Sequence, residues 1–281
     1  MKNILGVGTC GTNVVKQLSE YPQYTSFYIS NREKKTTKYK FSLPFLQSPE
    51  EYENMDMSSL HRWASKIKKN CTVFLTGAND STAITLRLLE KLHEAGVRIS
   101  IVYFLPEIEV LSENKFLHER SCRGILQQFA RSGLFEKMTM VSNLDLEILA
   151  GPTNVYEYHN QINRVFTSSY YMVDIFKNSA PITSTFKSQK ESCRITTLGL
   201  GSISQEEEDK LFFPLENPVE IVYYYCINEE KLRTEENLFR QIANKVKSKI
   251  TENVKASFGI FPTKYEEDYV YTEYYTPKVQ E

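Results

Sequence analysis

ILGVGTCGTNVVKQL, residues 4–18, runs from a short apolar strand through a glycine-rich turn into a helix. Glycines at 6, 8 and 11 spell G-x-G-x-x-G. Such a turn suits an anion. Without Cβ atoms, Gly6, Gly8 and Gly11 let phosphate oxygens approach backbone N–H groups at a helix N-terminus, where the dipole favours negative charge. Glycines at strand–helix turns also serve tight backbone geometry in many folds, so the motif alone does not choose between a dinucleotide, a nucleoside triphosphate and no ligand.

Working outward, residues 3–8 read as a buried strand, 11–20 as a helix and 26–30 as a second strand, a β-α-β opening. The pattern then predicts a helix over 57–70, a strand over 71–77, a helix over 81–96 stopped by glycine, and a strand over 97–106 ended by proline. A helix over 114–132, a strand over 137–143 and one long, largely apolar helix over 157–178 follow. Alternation of this kind predicts an α/β fold with a doubly wound, mainly parallel sheet and a ligand at the strands' carboxyl ends. Beyond residue 180 the chain turns strand-rich, in RITTLGLGSI, VEIVYYYCIN, ASFGIF and YVYTEYYTP, around a single amphipathic helix over 235–254. The acidic run 206–209 reads as a solvated helix face or turn, and Tyr269, Tyr271, Tyr274 and Tyr275 as sheet packing or, alternatively, an exposed sticky edge.

Composition narrows the function classes. With 281 residues, 41% hydrophobic, the chain can build one large or two modest cores. Lys plus Arg number 34 against 35 Asp plus Glu, so no global basic footprint invites nucleic acid or an anionic membrane. Five scattered cysteines, at 10, 71, 122, 193 and 226, form no C-x-x-C pair, which predicts free thiols and a cytoplasmic setting. No stretch reaches the roughly 18 apolar residues of a membrane span, and the start turns glycine-rich before a signal peptide could form, so neither membrane insertion nor secretion is expected. The four histidines lie too far apart for an obvious metal pair.

A dinucleotide site would want an acid at the end of the second strand, where Ser30, Asn31 and Arg32 stand instead, which disfavours NAD. Arg32, Lys34 and Lys35 could meet the extra phosphate of NADP, which keeps a reductase as an alternative. A solvated basic loop explains them as well.

GVGTCGTNVV, 6–15, resembles the first nucleotide loop of the FtsZ and tubulin family, with Asn13 at the Asn near the base. KKNCTVFLTG, the helix after it and VRISIVYFLP are similar to the family's strand, phosphate loop, helix and proline-ended strand. MVSNLDLEIL resembles a strand ending in a nucleotide-contacting Asn, here Asn143. YHNQINRV resembles the head of the family's central helix, matching Asn163 to the base-reading position and His159 to the aromatic that stacks on the base. ENVKASFGIFPTKYEEDYVYTEYYTP resembles the closing strand pair. These motifs, in the family's order, span nearly the whole chain.

Several stretches depart from the family. GANDSTA, 77–83, replaces its G-G-G-T-G-[ST]-G and retains only Gly77, while Ser81 and Thr82 remain as donors or as simple helix caps. Asp80 falls where the signature threonine stands. Two unit charges about 4 Å apart cost about 4 kcal/mol at an effective dielectric near 20, so either a cation such as Mg2+ bridges Asp80 to phosphate or triphosphate binding weakens. The segment between Asn31 and residue 57 holds no glycine. At the family's hydrolytic loop, PITSTFKSQKE puts Thr185 and Ser188 at the two acidic places, with Lys187 between them and Glu191 a few residues on. A hydroxyl is no general base at neutral pH. Counting back from Asn143 places Arg120 at the family's Arg, and its Glu at 109, 113 or 119.

The resemblance implies a nucleotide-binding domain over 1–156, a central helix over 157–178 and a small α+β domain over 179–281. It further implies GTP or GDP held by Gly6, Gly8, Thr9, Cys10, Gly11, Asn13, Gly77, Ser81, Thr82, Arg120, Asn143, His159 and Asn163. Head-to-tail self-association with weak or absent hydrolysis is the expected activity. The alternative is an interaction protein that keeps the fold and has lost nucleotide and polymer.

Overall fold

A computed structural model of the chain describes residues 1–187 and 193–281, which divide into two compact units, Met1–Thr167 and Ser168–Glu281. The first unit opens with β1 (Lys2–Val7), α1 (Gly8–Leu18), β2 (Tyr24–Ser30), β3 (Lys40–Ser42), α2 (Pro49–Asn54), α3 (Ser58–Ala64) and β4 (Asn70–Leu75). A 3-10 turn over Asp80–Ile84 runs into α4 (Thr85–Glu94), followed by β5 (Arg98–Leu105), α5 (Glu113–Ser132), β6 (Lys137–Ser142), α6 (Asn143–Ala150) and the start of α7 (Tyr158–Lys177).

Its six strands are all parallel, in the order β3-β2-β1-β4-β5-β6. The central strands are nearly continuous apolar runs: Val73, Phe74 and Leu75 of β4 and Ile101 to Phe104 of β5 are buried, as a sheet covered on both faces requires. Phe166 of α7 packs its ring 5.0 Å from Phe104 and 6.4 Å from Phe74. The chain winds outward from β1 to β3, returns to β4 and winds the other way. The winding direction therefore reverses between β1 and β4, where open α/β sheets form their binding crevice.

Two helices differ from the periodicity. The stretch 57–70 is helical only to Ala64: Lys66 and Ile67 close tight turns onto the carbonyls of Trp63 and Ala64, and Lys69 takes φ +65° to enter β4. The helix expected over 81–96 opens as a 3-10 turn because Thr82 N–H bonds the Asn79 carbonyl three residues back, at 2.8 Å.

The second unit carries the end of α7, then β7 (Thr183–Ser184), β8 (Ile195–Gly201), β9 (Lys210–Leu211), β10 (Glu220–Asn228), α8 (Glu229–Thr234), α9 (Leu238–Ser248), β11 (Lys255–Thr263) and β12 (Tyr269–Thr276). Its strands run β8-β12-β10-β11-β7, with β9 beside β8. The β10–β11 pair is parallel and the others are antiparallel. Phe176, Tyr224, Phe261 and Tyr271 stack on one face, while Leu238, Ile242 and Val246 of α9 are buried.

Three expectations are corrected or decided here. The single helix over 235–254 is α9 alone, because Glu235 is extended (ψ 97°) and Thr251 turns back onto the Val254 carbonyl. The acidic run is not wholly solvated: the Asp209 side chain is buried and accepts hydrogen bonds from the Tyr223 and Tyr274 hydroxyls at 2.5 Å each. The tyrosines of β12 are sheet packing, not an edge, since β12 lies between β8 and β10. Tyr271, Tyr274 and Tyr275 are buried and Tyr269 stays 40% exposed.

Candidate functional site

The crevice between β1 and β4 is bounded by the turn after β1. There α1 starts at Gly8 directly from Val7; Gly8 has φ +71°, and Val7 at the cap position makes no capping hydrogen bond through its side chain. The first-turn N–H groups of α1 are thus left for an anion or water. Thr12 turns its hydroxyl back onto the carbonyls of Gly8 and Thr9.

The three glycines divide their work. A Cβ on Gly11 would lie 1.9 Å from the Phe74 carbonyl oxygen, and one on Gly6 2.5 Å from the Gly11 carbonyl oxygen. Both therefore bring the β1, α1 and β4 backbones into contact, and close approach to a ligand falls to Gly8. Thr9 and Cys10 are half-buried, and loss of solvent pushes the Cys10 thiol up to about 12, so it is protonated at neutral pH. Asn13 is exposed on α1.

The loop after β4 is built from side chains. Asn79 caps the 3-10 turn, its Oδ1 accepting from Ser81 N (3.1 Å) and Ser81 Oγ (2.8 Å). Its carbonyl accepts from Thr82 Oγ1 at 2.5 Å. The hydroxyls of Ser81 and Thr82, both buried, are thus spent inside the loop. The two loops meet at Gly8, where a Cβ would stand 3.1 Å from Asn79 Nδ2 and 3.2 Å from Thr82 Cγ2. Asp80, half-buried, is the first residue of the 3-10 turn; among the described residues no hydrogen bond or ion pair reaches it.

Gly77 faces the other way, against α5. A Cβ there would lie 2.2 Å from the Tyr103 hydroxyl and 3.1 Å from Glu119 Cα, and His118 Nδ1 lies 2.7 Å from the Gly77 carbonyl oxygen. Glu119, 0% exposed, accepts from Arg123 Nε (2.8 Å) and the Tyr103 hydroxyl (3.0 Å) through Oε1, while its buried Oε2 has no hydrogen-bond partner among the described residues. Burial, with Cys122 and Glu119 nearby, pushes the Tyr103 hydroxyl well above its ordinary value.

Of the three Glu positions left open, Glu119 is the one held at the loop, and its partner is Arg123. Arg120 is exposed on α5. Arg123, Tyr103 and Asn79 make contacts at this candidate site although no sequence motif marks them. The i, i+4 spacing of Glu119 and Arg123 is the available signal for one of them.

Asn143 opens α6 behind its cap, Ser142, whose Oγ accepts Asp145 N at 3.2 Å. α1 and α7 are tied together by Gln17, which donates to Asn160 Oδ1 (2.6 Å) and accepts from the Thr167 hydroxyl (3.0 Å). Asn13 lies one turn before Gln17 and Asn163 one turn after Asn160, so both belong to this helix pair. His159 is exposed, its ring 5.2 Å from that of Tyr158. Tyr158 donates to Glu147 at 2.6 Å, a bond that raises its pKa to about 12.

In the second unit Thr185 is exposed and holds β11, its Oγ1 accepting Phe258 N at 3.0 Å. Ser188 and Glu191 lie outside the described residues. Among the described residues no cluster of three His, Cys, Asp or Glu could hold a metal, and no helix is long and apolar enough to cross a membrane.

No family model matches the chain, and no curated protein matches it. Solved structures do. TubZ of Bacillus thuringiensis serovar israelensis, in GDP-form protofilaments, superposes with a TM-score of 0.73 at 11% identity over 97% of this chain and 86% of that one. FtsZ of M. jannaschii gives 0.69 at 11% identity over 98% and 87%. CetZ2 from Haloferax volcanii, a GTPgS-bound protofilament, gives 0.64 at 11% identity over 98% and 92%. The fold is that of tubulin-like proteins from end to end.

Proposed function

We propose that this chain binds a guanine nucleotide, GTP or GDP, at the crevice between β1 and β4, self-associates head to tail into filaments, and hydrolyses nucleotide slowly or not at all. The observation that carries the proposal is the start of α1. An uncapped helix N-terminus at a positive-φ glycine, on the switch point of the sheet, offers backbone N–H donors to a phosphate. Self-association rests on the fold, because TubZ and CetZ2 of that fold form protofilaments.

Within this proposal Gly8, Thr9 and Cys10 hold phosphate through their N–H groups. Asn13, Asn143 and Asn163 contact the nucleoside, and His159 stacks on the base. Glu119, with an unpaired carboxylate oxygen beside the second loop, joins the set in place of Arg120. Slow hydrolysis follows from Thr185, whose hydroxyl is engaged with the Phe258 N–H and has no basicity to activate water.

The test is anion-exchange chromatography of nucleotide released from freshly purified protein, with sedimentation after adding GTP or GDP. About one nucleotide per chain and pelletable polymer are expected. Protein free of nucleotide that also fails to bind either one in a calorimeter would refute the proposal. Asn163→Ala should weaken guanine binding about tenfold, about 1.4 kcal/mol; unchanged affinity would remove Asn163 from the site.

A further inference from the structure

We propose, resting on the self-association put forward above, that two copies of the chain meet through unlike surfaces: the apolar face of α6 with the loop that follows it on one copy, and the basic face of α9 on the other.

α6 is an apolar helix with little to bury itself against. Of Leu144, Leu146, Ile148 and Leu149 only Leu146 is buried, while Leu144 and Ile148, one turn apart on the same face, are exposed. The loop to α7 adds Val155 and Tyr156, which are 90% and 98% exposed. That loop is fixed to both helices: Thr153 Oγ1 donates to Gln161 Oε1 at 3.1 Å, and Tyr158 Oη donates to Glu147 on α6 at 2.6 Å. Apolar side chains gathered in water on ordered backbone mark an interaction surface.

Charge says what covers it. From 138 to 163 the chain has three acids, Asp145, Glu147 and Glu157, and neither Lys nor Arg. Among the described residues none of the three joins an ion pair. Such a surface repels an anionic membrane and calls for a cationic protein face.

The second unit carries one. From 237 to 251 there are four cations, Arg240, Lys245, Lys247 and Lys249, and no acid. Lys245 is buried on the Glu207 carbonyl and Lys249 lies 4.0 Å from Asp209, but Arg240 and Lys247 are exposed and, among the described residues, make no ion pair. Phe239 near the start of α9 and Ile250 just past its end are exposed as well. An apolar surface with acids thus has its counterpart, an apolar surface with cations, on the other unit of the same chain. Unlike surfaces make the contact heterologous, so each copy keeps one of them for a further neighbour.

Analytical ultracentrifugation of the full chain, with GTP and with GDP, tests this on the native protein, Ile148→Glu and Phe239→Glu. The native protein should grow past dimer as its concentration rises. Each variant alone should stay monomeric to concentrations at least about tenfold higher. Mixed one to one, the variants should form a dimer and stop there, since each keeps the surface that the other lacks. Lys247→Glu repeats the Phe239→Glu arm through an exposed charge, and melting temperatures check that every variant folds.

Self-association that survives either substitution, or a mixture that stays monomeric, would overturn the proposal. A native protein that stays monomeric with both nucleotides would instead refute self-association itself and leave the α6 face to a different protein.

Discussion

The loop after β1 and the loop after β4 leave adjacent parallel strands, yet the first presents backbone to the crevice and the second presents side chains. After β1, two glycines are consumed in bringing three backbones together and the third, Gly8, turns the chain into an uncapped helix. After β4, Asn79, Ser81 and Thr82 satisfy one another and the remaining glycine is wedged under Tyr103 and Glu119. A ligand on the first loop needs nothing but N–H groups. At the second, it must compete with bonds the loop already makes.

The contrast breaks most visibly if the first loop tolerates a side chain. Gly11→Ala puts a Cβ 1.9 Å from the Phe74 carbonyl oxygen, a clash with backbone that no rotamer relieves. A loss of about 3 kcal/mol is expected, read as the urea midpoint at constant slope. A loss under about 1 kcal/mol would mean that α1 is not clamped to β4.

The second loop should answer to charge as the first answers to volume. Glu119→Gln keeps the shape and the acceptor for the Tyr103 hydroxyl but removes the carboxylate from a largely buried Arg123. Stability should fall by about 3 kcal/mol, because removing one partner leaves the other's charge in a poorly solvated place. A neutral result by chemical denaturation would mean that the Glu119–Arg123 pair contributes nothing net to stability.

These two cases show what a sequence can display. Glycine spacing records a backbone requirement, so G-x-G-x-x-G marks the first loop and the start of α1, and the alternation of apolar runs marks the parallel sheet. Asp80 and the loss of the family's glycines are equally visible. The roles of Ser81 and Thr82 are not, because a hydroxyl that caps and a hydroxyl that waits for a ligand have the same letter. Arg120 is reached by counting across a segment with inserted residues, and burial and pairing, which single out Arg123 three residues on, leave no mark in a count. The helix over 235–254 is overextended because amphipathic periodicity continues past Ser248, where the backbone turns at Thr251.

A smaller change sharpens the comparison at the point where the loops touch. Gly8→Ala forces a Cβ onto φ +71° and to within 3.1 Å of Asn79 Nδ2, which can swing aside. The expected cost is about 1–2 kcal/mol in thermal unfolding, with nucleotide affinity falling further because the first-turn amides shift. Loss of stability without loss of affinity would move the phosphate away from Gly8.

The smallest effect is the most discriminating. Asn79→Ala removes the cap of the 3-10 turn and should cost about 1 kcal/mol. It also releases the Ser81 hydroxyl and opens space opposite Gly8, so GDP affinity should stay within about twofold or rise. Calorimetry beside a melting curve separates the two quantities. If GDP affinity instead dropped more than tenfold, Asn79 would be touching the ligand, and the second loop would hold nucleotide with side chains much as the first holds it with backbone.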